Sequence, residues 1–385
     1  MKTNKKIHIL YVAQSRYIGG AEVELMHVIN GLDRKRYKPY VLFPCKGDVV
    51  RFFGAHGIAS KIIVNSPWRI YKSQLTDFLK IKKIDIIHAF SMHYYVFCAA
   101  IVAKITGLPL VWHVHARLEV LLPYLNSKQQ ENMLCTIYGL STRVVVCSRY
   151  ARLPFDKIGL KRRVRIIKNG IDLRLISFSP PDAQSRFRKK CGVKESGFLA
   201  GMVSRVVPQK RPHNFIRAAA LVKRRLPFVN FIIVGTCPSK AYMRQLKDLN
   251  RKNGNPVQFL GFSDNMSLVM NSLDILVLPS AGDAAALVIL EAMACAKPVV
   301  AAYSGGSSEI VHDRVTGTLV CSSRAKAIAK AVIELAGDPR KAIAMGKLAR
   351  KRAERMFDIR ITVKRMVSIY DKLLSRRRDV KKHKS

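Results

Sequence analysis

The sequence predicts two parallel α/β units of Rossmann type in tandem. Short runs of Ile and Val alternate with segments of helical length, as strands covered by helices on both faces should. That alternation stops over residues 173–197 and then restarts. The length of 385 residues suits two domains rather than one or four.

In the first half, strands are expected at Ile7–Val12, Tyr40–Phe43, Ile62–Val64, Ile84–Phe90, Leu108–Val114 and Val144–Cys147, with helices at Ala21–Leu32, Ser73–Lys82 and Tyr95–Ile105. The basic start and the short apolar run after it superficially resemble a leader. The run is about seven residues, ends in Gln14-Ser15-Arg16 and lacks a small-residue cleavage site, so it reads as the first buried strand. Pro180-Pro181 and dense charge mark a hinge, helical around Asp182–Cys191. The expected domains are therefore 1–180 and 181–385. In the second, strands are expected at Phe198–Val203, Val229–Val234, Val257–Leu260, Ile275–Leu278, Val299–Ala302 and Gly317–Val320, and helices at His213–Arg224, Lys240–Lys252, Leu287–Ala294 and Arg324–Ala336. From Pro339 the chain reads as helix to about Arg376, with a break near Phe357-Asp358, then a basic tail.

Hydrophobic residues make up 49%, which excludes general disorder, and no run approaches the roughly 18 apolar residues of a membrane span. Against 25 Asp and Glu stand 68 Lys and Arg, a formal net charge of +43. Such a chain attracts polyanions: nucleic acid, anionic lipid or phosphorylated substrates. Basic and aromatic residues mix at Arg51-Phe52-Phe53 and Trp68-Arg69-Ile70-Tyr71-Lys72, followed by Lys80, Lys82 and Lys83, a composition suited to an anionic membrane interface or to a solvated helix face. The eight cysteines are scattered without a CxxC, which argues against structural zinc and a disulfide framework and for a reducing, cytoplasmic setting.

Ligands of open α/β sheets sit at the carboxyl ends of strands, so candidate chemistry is sought there. Gly19-Gly20 opens the first helix, where a backbone can approach phosphate. His113 and His115 share a strand face at a strand end. No Asp, Glu or Cys joins them at ligand spacing, so a hydrogen bond to substrate suits them better than metal, and a partly buried core or rim histidine stays equally open for either one. Arg205 and Lys210 follow the first strand of the second half and suit phosphate oxygens. Asp283 precedes Glu291 by eight residues; Glu291, in the apolar setting VILEAMA, needs strong hydrogen-bond donors, which ligand hydroxyls or helix N-terminal amides can supply. Gly305-Gly306 forms a second flexible loop.

Together these residues resemble the retaining glycosyltransferases of family 4, which have the GT-B fold. The block PSAGDAAALVILEAMACAKPVVAAYSGGSSEIVHDRVTGTLV (279–320) stands where that family has its PS…E-P-F-G-x-x-x-x-E-A-M-A signature. The early GGAE, His115, VRIIKNGID (164–172), Arg205 and Lys210 follow in the family's order. The resemblance implies a nucleotide-diphosphate sugar donor, a UDP- or GDP-sugar, bound mainly by the C-terminal domain, with no metal or other cofactor. Arg205 and Lys210 would hold the diphosphate, Glu291 the ribose hydroxyls, and Asp283 and His115 the donor sugar. Gly19-Gly20 would let the backbone approach the diphosphate and acceptor, with Gly305 and Gly306 lining the donor. A glycan or lipid-linked acceptor on the N-terminal side, and a place at the cytoplasmic face of the inner membrane, complete the expectation. Asp283, Ala285-Ala286 and Ala296 depart from the family's Glu, Phe-Gly and Gly. Three readings stay open beside transfer: another GT-B-fold sugar-nucleotide enzyme such as an epimerase, against which Arg205, Lys210 and the 279–320 block speak; a catalytically weakened nucleotide-sugar-binding relative; and a basic nucleic-acid-binding protein, for which no helix-turn-helix, zinc finger or aromatic RNA motif appears.

Overall fold

The computed structural model describes residues 6–13, 18–63, 68–91, 94–115, 125–176, 179–194, 196–321 and 324–382. The chain folds as two units, Met1–Gly170 with Ile359–Ser385, and Ile171–Asp358. Each is built on one all-parallel sheet covered by helices on both faces.

In the first unit the strands are β1 (Ile7–Val12), β2 (Tyr37–Phe43), β3 (Ser60–Ile62), β4 (Ile86–Phe90), β5 (Leu110–Val114), β6 (Arg143–Val146) and β7 (Val164–Ile166). Their order is β3-β2-β1-β4-β5-β6-β7, so the winding reverses between β1 and β4. In the second unit β8 (Phe198–Val203), β9 (Val229–Val234), β10 (Val257–Gly261), β11 (Ile275–Leu278), β12 (Val299–Ala302) and β13 (Gly317–Val320) run in the order β10-β9-β8-β11-β12-β13. The reversal there lies between β8 and β11. Double coverage explains the apolar runs: every residue of β8, β11 and β12 is buried.

The expected domain division is corrected at its end. The helix Pro339–Phe357 belongs to the second unit, but Ile359–Lys382 belongs to the first. Ile359, Val363, Met366, Tyr370 and Leu373 recur at steps of four and three, which is one helix stripe, and they are buried in the core with Tyr11, Phe90, Val111 and Val145. Tyr370 is also held by polar contacts: its hydroxyl lies 2.6 Å from His88 Nδ1 and 3.2 Å from Tyr11 Oη. Gly170 marks the exit from this unit. A Cβ there would come within 2.6 Å of Thr362 Oγ1 and 2.7 Å of Ile359 Cα, so only glycine lets the terminal helix start against it.

Two aromatics of the suggested membrane face are also corrected, while Phe52 and Trp68 are half-buried. Phe53 and Tyr71 are core residues, Phe53 packing edge-on to Phe43 at 5.4 Å between ring centres. Arg69, Lys72, Lys80, Lys82 and Lys83 are exposed, and so are Ile70 and Ile81. No helix among the described residues is long and apolar enough to cross a membrane.

Candidate active site

In the second unit the loops after β8, β11 and β12 meet at the carboxyl ends of adjacent strands, beside the switch point where open α/β sheets bind ligands. After β8 the turn Pro208–Lys210 ends at Arg211, whose φ of 52° is left-handed, and this delivers Lys210 across to the β11 loop. Lys210 Nζ contacts both carboxylate oxygens of Asp283, at 2.6 and 2.7 Å, with both side chains largely buried. The two loops are also tied through backbone, Ala281 N–H donating to the Gln209 carbonyl at 2.9 Å.

The β12 loop closes on the same point. Gly306 N–H donates to the Asp283 carbonyl at 2.7 Å. Gly305 has φ of +67°, and a Cβ there would lie 2.1 Å from that carbonyl oxygen, so this position requires glycine for both conformation and space. Lys210, Asp283, Gly305 and Gly306, read separately from the sequence, thus form one interlocked group. Arg205 stands exposed after β8 and makes no ion pair among the described residues.

Glu291 is the fifth residue of the helix Leu287–Ala294, past its first turn. The reading of this carboxylate as one held by helix N-terminal amides is therefore set aside. It is half-buried, its carboxylate has no hydrogen-bond partner among the described residues, and burial pushes its carboxyl up to about 7. A carboxylate that resists ionisation and finds no protein donor among the described residues suits a ligand that brings its own hydroxyl donors.

The helix that carries Glu291 ends in a Schellman motif: Lys297 N–H donates to the Ala292 carbonyl and Ala296 N–H to that of Met293. Ala296 sits in the left-handed position, φ 54°, that such a cap reserves for glycine. Ala296→Gly is expected to stabilise the protein by about 1 kcal/mol. A calorimetric scan checks it; a lowered melting temperature would mean the strain is relieved elsewhere.

In the first unit His113, on β5, and His115, one residue past it, bring their ring centres to 4.0 Å, as their spacing predicts. Their expected isolation from carboxylates is corrected. Glu24, fully buried on the helix Gly20–Gly31, places Oε2 3.3 Å from His115 Nε2. Glu24, His113 and His115 each offer a ligand atom within 4.8 Å of the others, so this group could hold a metal ion. Burial raises the Glu24 carboxyl to about 8 and lowers His115 to about 3, so desolvation favours a neutral pair. Among the described residues the side-chain atoms of Glu24, His113 and His115 make no aligned hydrogen bond. Phe90 stacks on His115 at 5.1 Å, and His88, on β4, lies 5.5 Å from His113. Spacing could not reveal Glu24, which is some 90 residues from the histidines; the signal available was a lone carboxylate in the apolar stretch VELMHVI.

Gly19 and Gly20 stand at the start of that helix, after β1. Gly19 is extended, φ −131°, and donates its N–H to Glu22 Oε2 at 3.1 Å. One backbone N–H at the helix terminus offered to phosphate is thus already taken by the chain's own carboxylate.

Family models match both units: "Glycosyltransferase Family 4" over residues 18–175 and "Glycosyl transferases group 1" over residues 183–352. The chain is similar to the GDP-mannose-dependent alpha-(1-6)-phosphatidylinositol monomannoside mannosyltransferase of Mycolicibacterium smegmatis, 34% identical over 54% of this chain and 56% of that one. It is 26% identical, over 91% of its length and 95% of the other, to the UDP-Gal:alpha-D-GlcNAc-diphosphoundecaprenol alpha-1,3-galactosyltransferase of Escherichia coli. The chain spans about half the length of the first of these relatives. The crystal structure of Anabaena HepE in complex with UDP and glucose superposes with a TM-score of 0.86 at 26% identity, covering 95% of this chain and 100% of that one. With both family models matched in chain order on two Rossmann-like units, the chain belongs to glycosyltransferase family 4 and has its GT-B fold.

Proposed function

We propose that the chain is a retaining glycosyltransferase that moves a sugar from a UDP- or GDP-sugar to a lipid-linked or cell-envelope glycan acceptor. The observation that carries the reading is the Lys210–Asp283–Gly306 group at the β8/β11 switch point, with a half-buried Glu291 on the following helix. In this reading Arg205 and Lys210 neutralise the diphosphate as the bond from the sugar's anomeric carbon to phosphate oxygen breaks. The acceptor oxygen forms its bond to that carbon on the same face and gives its proton to the departing diphosphate oxygen. Glu291 accepts from the ribose hydroxyls. Asp283 orients Lys210 before the donor arrives and turns to the sugar after, and His115 contacts the sugar. The activities named for those two relatives, on GDP-mannose and UDP-galactose with lipid-borne acceptors, support the donor and acceptor classes. Placement at the cytoplasmic face of an anionic membrane rests on the charge of +43 and on the exposed lysines beside Ile70 and Ile81.

A thermal-shift series with UDP-, GDP- and ADP-sugars tests this. One UDP- or GDP-sugar at about 100 times its Kd should stabilise the protein by about 2.7 kcal/mol, and Arg205→Ala and Glu291→Ala should abolish the shift. No response to any of them would sink the reading. Stabilisation without transfer to any lipid-linked acceptor would favour a weakened relative, which the departures at Asp283 and Ala285-Ala286 make the second reading.

A further inference from the structure

We propose that the first unit carries a second anion site, on its terminal helix, for a ligand bearing two phosphate groups. A cavity of about 360 Å³ is lined by Arg143, Arg165, Arg365, Lys372 and Arg376, with the Ser368 hydroxyl among them. It stands independently of the proposed transfer reaction.

The fold assembles these cations deliberately from two sources. Arg365, Ser368, Lys372 and Arg376 recur at steps of three and four, so they share one helix face, beside the buried stripe of Met366, Tyr370 and Leu373. Arg143 opens β6 and lies two residues before Val145, so it shares the sheet face whose core this helix helps to form. Arg165 on β7 pairs in register with Val145, which sets it alongside. Among the described residues none of the five makes an ion pair with a carboxylate. The helix's own Asp371 is committed elsewhere, to Arg36 and Tyr37.

Arg143 is half-buried and the other four cations are exposed; like charges this close repel one another in part even through solvent, and an anion among them relieves that repulsion. The Arg143 guanidinium is held below its ordinary value, first by burial and then by Arg165, Arg376 and Arg163. Guanidinium forks match phosphate oxygens two by two, and five cations exceed what one phosphate can neutralise. The volume also lies at the lower end of the roughly 300–1,000 Å³ of small-ligand pockets, larger than one phosphate needs. The site is remote from the reacting end of the sheet. Arg143 is level with Val111, and His115 lies four residues further along, about 13 Å at ~3.3 Å per residue. The ligand chemistry, paired phosphates, is met by a soluble diphosphate or by a lipid headgroup such as that of cardiolipin.

Two probes separate these sources: sodium pyrophosphate by calorimetric titration, and sedimentation with vesicles of equal parts phosphatidylcholine and cardiolipin against phosphatidylcholine alone. The variant R165Q/R376Q alters two exposed residues of the pocket, and R224Q/R225Q removes the same charge from an exposed helix end of the second unit. Titration is repeated in Arg205→Ala, which disables the proposed donor site. For a soluble ligand, pyrophosphate binding should weaken at least tenfold in R165Q/R376Q alone. For a lipid, retention on cardiolipin vesicles should be lost in that variant alone. Equal weakening by both double variants, loss only in Arg205→Ala, or no binding of either probe by the wild-type chain would overturn the proposal.

Discussion

Replacing Lys210 by alanine is expected to destabilise the second unit by about 2–3 kcal/mol and to lower the rate of sugar transfer by about 100-fold to 1,000-fold. The stability loss follows from the geometry. Asp283 is 12% exposed and takes both its close charge contacts from Lys210, so truncation strands a carboxylate that water reaches poorly. The estimate stays below that for fully buried pairs because some solvent does reach it. The rate loss has a different origin, the charge that develops on the departing diphosphate. The double variant Lys210→Ala/Asp283→Ala separates the two. Removing the stranded carboxylate should restore much of the stability in urea unfolding and none of the transfer rate. A single variant with wild-type midpoint and turnover would show that this pair does neither job.

Exchanging Glu291 for glutamine should have opposite effects on stability and binding. The carboxyl is raised from its ordinary value to about 7 by burial, so the folded protein prefers it protonated. For a raised acid, the associated stability is fully present below the unfolded value, near 4.5, and is lost as pH rises through about 7. At pH 8 the ionised group therefore weighs against the unliganded fold, by about 1–2 kcal/mol after allowing for partial exposure, from about 1.4 kcal/mol per pH unit. Glutamine cannot ionise. The variant should match the wild type near pH 4 and exceed its melting temperature at pH 8. Donor affinity should move the other way: in the wild type it rises between pH 6 and 8 as the carboxylate forms to accept ribose hydroxyls, and in Glu291→Gln it is weak and flat. Parallel pH profiles for the two proteins in both measurements would remove Glu291 from the donor site.

Much of the architecture was legible because the strands are buried on both faces. Apolar runs such as Phe198–Val203 and Val299–Ala302 coincide with strands end to end. The helices Asp48–Ala55, Ser127–Leu140 and Arg149–Lys157 escaped, each for a local reason. The first is short, the second buries only Gln130, Leu134 and Ile137, and the third contains Pro154. Strand β7 is a three-residue edge with an exposed Arg165, too short and too polar for an apolar run to mark. Residues 359–373 have a clear helical stripe, but a stripe does not say which core it covers, hence the corrected division. At the site, Lys210 and Asp283 were each identifiable by position after a strand. Their mutual pairing was not, since it depends on a left-handed Arg211 turning one loop toward the other. Glu24 needed the fold itself, which brings the first helix over the end of β5.

The return of the last helix to the first unit bears on how the protein is made. The chain leaves that unit at Gly170 and re-enters it only at Ile359, so everything between is, in topology, an insertion. A ribosome delivers residues 6–170 first, yet their sheet face keeps Tyr11, Phe90 and Val145 uncovered until Met366 and Tyr370 emerge. The second unit has its full sequence by Asp358 and can close sooner. Birth order and completion order are thus reversed. A chain truncated after Asp358 would carry a finished second unit joined to a first one with an open, sticky core, a product that quality control should recognise although the proposed donor-site residues are all present.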